Sequence, residues 1–331
     1  MRRMVWMSSD KMFRTLRDFP VEEYLSPGAP MCSGCGGMLV LRLIHKALGE
    51  DIVLVNAAGC LTLLQVYPFT PLKSSWMYTA FASAPAGAQG IRDALDILKE
   101  KGKITQSDEV KVVVFTGDGA AYDIGLQSTS GALERNLDFY YFVYDNESYG
   151  NTGFQKSGAT PFGSSTMTTP PGPANPFGNT APKKDLFEIW RSHNPPYVAT
   201  VAVSHVVDMM QKIQKASKHK GPKLFIAFTP CPTGWGFDPS ETVKISKLAV
   251  ESGIWPLKEA VFGEVRHTFV PKIFKPVEEY LQKQSRFRHL FHPKKQEAID
   301  QIQEQIYQYW QAVKSRENIE IDIPKPITTQ K

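Results

Sequence analysis

Two constellations in this chain could carry chemistry. The first is its cysteines: Cys32, Cys35, Cys60 and Cys231, the only ones in 331 residues. "MCSGCGG" sets Cys32 and Cys35 in a Cys-x-x-Cys just ahead of an apolar helical pattern. Such a pair reads three ways: a redox dithiol whose thiolate a helix N-terminus favours, half of a zinc site, or half of an iron–sulfur site. The other two cysteines form no second close pair. Cys60 follows an apolar strand pattern and Cys231 lies in "TPCPTGW", so both fall at strand ends. Four thiolates converging on one edge of a sheet could hold a four-iron cluster. A disulfide framework is disfavoured in an intracellular setting.

The second constellation is "TGDGAAYD", Thr116 to Asp123, which follows the apolar run "VKVVVF". Gly117 and Gly119 let the backbone approach something closely, and Asp118 between them must face something positive. A helical pattern from Tyr122 offers free N–H groups and a positive dipole end, a site for an anion and for phosphate above all. The next strand pattern ends in "YDNESY", so Asp118 and Asn146 arrive from the ends of neighbouring strands. Together they could share one hard cation, and magnesium suits oxygen donors and the phosphates of a substrate. A tight turn alone would also use Gly-Asp-Gly, and turn geometry alone would use an asparagine. The local chemistry points to a magnesium diphosphate.

These groups must be positioned by a sheet. Helical spacing runs over 36–49, 87–102, 122–135 and 205–218, and short apolar strands over 51–59, 110–115, 139–144, 197–203 and 223–228. Nearly continuous apolar strands between helices predict an α/β class, a mostly parallel sheet with helices on both faces. Ligands of such sheets sit beyond the carboxyl ends of the strands. Residues 146–184 break the pattern with Gly, Pro, Ser, Thr and Asn. So long a loop is expected to be functional, with Tyr149, Phe154, Phe162 and Phe177 giving it something to pack with. The expected division is an N-terminal arm over 1–30, a binding domain over 31–260, and a C-terminal extension over 261–331 that packs on the core or on partner subunits.

Gly-Asp-Gly followed by an Asn at the next strand end resembles the thiamine diphosphate motif. The longer string from Gly117 to Gly163, with "CPTGW" and "KPVEEYLQKQSRFRHLF", closely resembles the beta subunits of 2-oxoacid:ferredoxin oxidoreductases, the pyruvate enzymes in particular. The resemblance runs from about Tyr24 to the end. It implies the thiamine diphosphate-binding fold, with Mg²⁺ on Asp118, the Asn146 side chain and the Ser148 carbonyl. Gly117, Gly119 and Ala120 would lie against the diphosphate. Asn151 would stand beside the reactive thiazolium carbon as the catalytic residue, with Thr152 as its neighbour. Cys32, Cys35, Cys60 and Cys231 would ligate one [4Fe–4S] cluster.

The implied reaction is the coenzyme A-dependent oxidative decarboxylation of a 2-oxoacid, pyruvate by preference, with electrons passed to ferredoxin. The same subunit plan serves 2-oxoisovalerate, 2-oxoglutarate and oxalate. "FASAPAGAQG" departs from the more acidic or Asn-containing versions of the family. An alpha-type subunit would supply the glutamate that activates thiamine. Other subunits would carry ferredoxin-type clusters, because no C-x2-C-x2-C-x3-C run occurs here. A non-oxidative thiamine lyase with structural cysteines is the competing enzyme class, and a scaffold that has lost thiamine the non-catalytic one; an intact Asp118 and Asn146 speak against the latter.

Composition excludes other classes. Hydrophobic residues at 42% and charged ones at 21% suit a globular protein, and no apolar run is long enough to span a membrane. "MRRMVWMSSDKMFRTLRD" lacks the long apolar run of a signal peptide, so a cytoplasmic location is expected. The net charge of +5 is mild, and no nucleic-acid motif accompanies it. Basic residues of the last third, such as Arg286, Arg288, Lys294 and Lys295, offer a surface for an acidic partner.

Overall fold

The alternation of apolar runs with amphipathic stretches builds one eight-stranded sheet in a computed structural model that describes residues 12–104 and 110–326. The strands are β1 (Ile52–Ala57), β2 (Ser75–Thr79), β3 (Lys111–Gly117), β4 (Tyr140–Asp145), β5 (Tyr197–Ala202), β6 (Lys223–Phe228), β7 (Leu257–Val261) and β8 (Glu264–Phe269). Their order is β2-β1-β3-β4-β6-β5-β7-β8. The six from β2 to β5 are parallel, and β7 and β8 add an antiparallel edge. From β1 the chain moves to β2 on one side, and from β3 to β4 on the other. The loops after β1 and β3 therefore part, leaving a crevice at the switch point where such sheets bind ligands.

Helices cover both faces. On one, α1 (Gly36–Leu48) and α5 (Val206–Ala216) bring Val40, Ile44, Met209 and Ile213 onto Val113, Phe115, Phe142 and Phe225. Phe142 and Phe225 stack with ring centroids 4.4 Å apart; burying a side chain of this size contributes roughly 1.5–3 kcal/mol. On the other face lie α2 (Ala84–Glu100), α3 (Leu126–Glu134), α4 (Leu186–Arg191), α7 (Thr242–Glu251) and α9 (Gln296–Glu317), with the short α6 (Pro232–Trp235) and α8 (Val277–Gln282) between. Trp310 of α9 is buried and donates to the Gly253 carbonyl at 2.9 Å. Among the described residues no helix is long and apolar enough to cross a membrane. The first eleven residues, part of the N-terminal stretch read above, lie outside the described ones.

The fold class is the one expected, but three strands were not foreseen. β2 is largely exposed and β8 alternates exposed Glu264, Arg266 and Thr268 with half-buried Val265 and His267, so neither shows the apolar run of an interior strand. The helix expected from Tyr122 starts earlier, as a π-helical turn over Gly119–Ile124, and Gly125 separates it from α3. Cys60 lies past the end of β1, in a 3-10 turn over Cys60–Gln65. The 146–184 loop is well knit. Asn179 donates to the carbonyls of Thr160, Pro161 and Ala181, and Phe162 packs on Phe177 with centroids 6.1 Å apart.

Candidate functional site

Register brings the candidate oxygen donors together. β3 and β4 are adjacent, with Gly117 opposite Tyr144, so Asp118 and Asn146 leave the sheet side by side. Asp118 is completely buried, and its Oδ2 accepts from Ser157 Oγ at 2.5 Å. One terminal atom of the Asn146 amide lies 2.8 Å from Asp118 Oδ1 and 2.8 Å from the Ser148 carbonyl oxygen. With nitrogen in that position it donates to both. With oxygen there, three oxygens from three residues face one another, an arrangement that a cation between them resolves. Adjacent ligands of an octahedral magnesium ion stand about 3 Å apart, given Mg–O distances of about 2.1 Å, so this donor set suits such an ion. Burial, and next the Asp145 carboxylate, push the Asp118 carboxyl well above its ordinary pKa, a trend that a bound cation opposes.

Gly119 is required by close approach: a Cβ there would come 2.2 Å from the Tyr149 ring, whose hydroxyl donates to the Gly119 carbonyl at 3.2 Å. The crevice between Gly59, Gly117, Gly119, Ala120 and the 148–152 turn has a volume of about 20 Å³ with Tyr149 in this position. Asn151 and Thr152 line it, and Thr152 Oγ1 is held by the Tyr149 carbonyl and Gln155.

Beneath the turn that carries Asn146 runs a buried charge network that sequence reasoning missed. Lys183 Nζ bridges Asp145 Oδ2 at 2.8 Å and Glu147 Oε1 at 3.0 Å. Arg286 reaches Glu147 Oε2 at 2.6 Å and lies 3.7 Å above the Trp235 ring. Tyr122 donates to Asp145 Oδ2 at 2.7 Å, and Trp235 Nε1 to the Asn146 carbonyl at 2.9 Å. Burial pushes Glu147 up, yet Lys183 and Arg286 hold its carboxyl below the usual range. Residues 145–147 are thus pinned from below while Asn146 and Ser148 face the crevice. The carboxylates beside Asn146 were the only local signal of this network, because nothing nearby in sequence marks Lys183 or Arg286 as their partners.

The cysteines come from three separate loops. Cys35 is the N-cap residue of α1, where burial raises its thiol pKa and the Met38 and Gly37 amides oppose the rise. Gly34 and Gly36 let that loop nest on the Cys231 side: a Cβ on Gly34 would meet Pro239 at 2.3 Å, and one on Gly36 would meet Thr229 at 2.9 Å. Gly234 N–H donates to Cys231 Sγ at 3.3 Å. All four thiols are unbridged and line one cavity of about 270 Å³, with Leu61, Phe154 and Pro230 among its apolar walls. Burial pushes the Cys60 thiol up to about 12 and the Cys231 thiol up to about 11. Among the described residues no three His, Cys, Asp or Glu side chains close round a metal-sized point, so the thiols surround a shared space without forming a closed cage. Soft thiolates of this kind suit an iron–sulfur cluster or zinc.

The two places share a wall. Cys60, Tyr144, Asn146, Gly150 and Asn151 line both the crevice and the cysteine cavity. A Cβ on Gly150 would sit 3.0 Å from the Asn146 amide and 3.2 Å from Cys60 Sγ, which leaves room at that residue for little more than backbone.

Known proteins share this arrangement of sequence. A family model described as thiamine pyrophosphate enzyme, C-terminal TPP binding domain, matches residues 57–227. The pyruvate synthase subunit PorB of Methanocaldococcus jannaschii is 45% identical over 289 residues, covering 87% of this chain and 95% of that protein. The chain belongs to the PorB family of thiamine pyrophosphate enzymes. The ketoisovalerate oxidoreductase subunit VorB of Pyrococcus abyssi is 38% identical over 298 residues, covering 89% of this chain and 94% of its own. A solved 2-oxoglutarate:ferredoxin oxidoreductase from Magnetococcus marinus superposes with a TM-score of 0.53 at 22% identity, covering 63% of this chain and 67% of that one. It shares the fold. The PorB family consists of oxidoreductase subunits, and this chain is one of them.

Proposed function

We propose that this chain is the beta subunit of a 2-oxoacid:ferredoxin oxidoreductase, carrying magnesium thiamine diphosphate and one [4Fe–4S] cluster and acting on pyruvate. The shared wall carries the reading: a group reacting beside Asn151 stands one backbone, that of Gly150, from the Cys60 thiol. Such closeness is what passing electrons from an organic intermediate to a cluster needs. The donor chemistry fits each group, oxygens at Asp118, Asn146 and Ser148 and thiols at the four cysteines.

In this reading Asp118, the Asn146 amide oxygen and the Ser148 carbonyl hold the metal, and the backbone at Gly117, Gly119 and Ala120 receives the diphosphate. Thiamine diphosphate supplies a carbon nucleophile and a sink for the electrons released when the 2-oxoacid loses CO₂. Asn151 donates a hydrogen bond to the substrate oxygen on which negative charge develops, and Thr152 steadies its turn. Cys32, Cys35, Cys60 and Cys231 bind the cluster as thiolates. Burial raises the thiol pKa values of Cys35, Cys60 and Cys231, so loading at these three releases protons. The overall balance is 2-oxoacid, coenzyme A and two oxidised ferredoxins in, and acyl-CoA, CO₂, a proton and two reduced ferredoxins out. Admission of the diphosphate requires the Tyr149–Thr152 turn to lift from Gly119.

Among the described residues no carboxylate lines the crevice, and Asp118, between Gly117 and Gly119 of its wall, is buried, which is consistent with a partner alpha-type subunit as the source of the activating glutamate. The higher identity to the pyruvate subunit favours pyruvate over 2-oxoisovalerate. Anaerobic absorption and EPR spectra of the assembled complex, before and after pyruvate with thiamine diphosphate, test the proposal. A brown protein that bleaches and shows a radical supports it. A brown protein silent to pyruvate but responsive to 2-oxoisovalerate moves the substrate, and a colourless preparation with stoichiometric zinc overturns the cluster.

A further inference from the structure

A third cavity, of about 330 Å³, shares no lining residue with the crevice or the cysteine cavity. It opens between the 183–187 segment, the 253–258 segment and helix α9, with Lys184, Asp185 and Gln305 exposed at its rim. Its interior is apolar and aromatic: Phe187, Trp255, Ile302 and Ile306 are typical of it. This is the size and character of a small-molecule site.

One group in it is out of place. Lys258, on β7, is 7% exposed, and its ammonium makes no hydrogen bond among the described residues. Glu188, the carboxylate within ion-pair reach, stands at 4.0 Å, and the Phe187 and Tyr309 rings lie 4.3 and 5.4 Å away. The other buried lysines are fully engaged. Lys212 donates to the Thr200 carbonyl at 2.8 Å and to Asp208 at 2.7 Å, and Lys223 bonds Asp138 and the Gly221 carbonyl. Lys183, in the wall of this same cavity, is spent on Asp145 and Glu147. An ammonium has three donors, and this one meets a carboxylate only at 4.0 Å. Burial accordingly pushes the pKa of Lys258 down.

We propose that this cavity binds an amphipathic monocarboxylate, with its carboxylate on Lys258 Nζ and its hydrocarbon body among Phe187, Trp255, Ile302 and Ile306. An ammonium with no hydrogen bond among the described residues and an ion pair only at 4.0 Å, to Glu188, matches one further negative charge, and the apolar walls match an alkyl or aryl body. The cavity shares no lining residue with the crevice, although Tyr122, Glu147 and Lys183 of the network beneath Asn146 stand in its wall, and binding is read without turnover.

The test is calorimetric titration of the complete hetero-oligomer with octanoate, and with 1-octanol as the uncharged counterpart. Saturable octanoate binding at one site per beta chain is expected. Lys258→Met should weaken octanoate by about tenfold or more and leave octanol nearly unchanged, at an unaltered melting temperature. Ile306→Trp, which fills the cavity from α9, should remove both ligands; it also serves as the test should Lys258→Met fail to fold. The proposal falls if wild-type complex shows no saturable octanoate binding, if Lys258→Met binds octanoate as tightly, or if Ile306→Trp still binds it.

Discussion

The oxygen end of the crevice and the cysteine cavity are built on opposite principles. Asp118 and Asn146 leave adjacent parallel strands whose register fixes their separation, and a buried network of Lys183, Arg286, Asp145 and Glu147 locks the turn that carries Asn146. The thiols come from three loops far apart in sequence, and they surround a space with no closed cage among the described residues. A hard divalent ion tolerates little error in ligand geometry, so its site is best assembled before the ion arrives. Thiolates drawn in by strong metal–sulfur bonds can be gathered by the cofactor itself. In the proposed reading, the comparison sets a site made by the sheet against one that its ligand would finish.

The sharpest way to break this comparison is to remove one ligand from each side. Asp118→Ala should cost more than the ten- to hundredfold typical of an outer-shell partner in magnesium-dependent thiamine diphosphate affinity, measured by calorimetry on the complex, with the iron content unchanged. Next comes Cys60→Ala, which should abolish the cluster signal in EPR and in iron analysis while thiamine diphosphate still binds within a fewfold of wild type. Loss of both cofactors from either variant, with the fold intact, would show that the crevice and cavity are one cooperative unit.

A smaller effect separates the supports beneath. Lys183→Met leaves Asp145 and Glu147 buried with one cation fewer, and breaking a buried pair in this way costs about 3–5 kcal/mol. Denaturant unfolding of the variant should show that loss together with weaker thiamine diphosphate binding and an undiminished iron content. Iron falling in step with stability would place the cysteine loops on the same support and erase the distinction.

Which parts were legible follows from how local each signal is. Asp118, Asn146 and the four cysteines announce themselves by residue type beside glycine turns and strand ends. The interior strands announce themselves as apolar runs, a reading that agrees with the observed sheet. Lys183 and Arg286 carried no such mark, because a buried ion pair is a relation between distant residues and each member looks like a surface cation. β2 escaped because it is an exposed edge, and β8 because its alternation runs between charged and half-buried positions. The early start of the helix after β3 escaped for a different reason. Gly125 N–H folds back to the Ala120 carbonyl at 2.7 Å and widens the turn, which helical periodicity does not encode.

The smallest effect lies on the cysteine side, where the arm leading to Cys32 is tied down by exposed ion pairs. Glu23 meets Arg42 at 2.5 Å and Lys46 at 2.8 Å, and Lys46 also donates to the Pro20 carbonyl at 2.8 Å. The Arg42 guanidinium, and then Lys46, hold the Glu23 carboxyl down at about 2 against the opposing pull of burial. A carboxyl with a depressed folded pKa contributes stability that is fully present above its unfolded value near 4.5 and is lost as pH falls toward 2. Because Glu23 is 40% exposed, solvent screening keeps this contribution to about 1 kcal/mol or less. Glu23→Gln should therefore lower stability by that amount at pH 7 and in low salt, and the difference from wild type should vanish between pH 4.5 and 2 or in high salt. Paired unfolding curves across that range would check it. A loss of several kcal/mol, or one indifferent to salt, would mean that the arm is anchored as firmly as the turn at Asn146, and the contrast between the two regions would have to be given up.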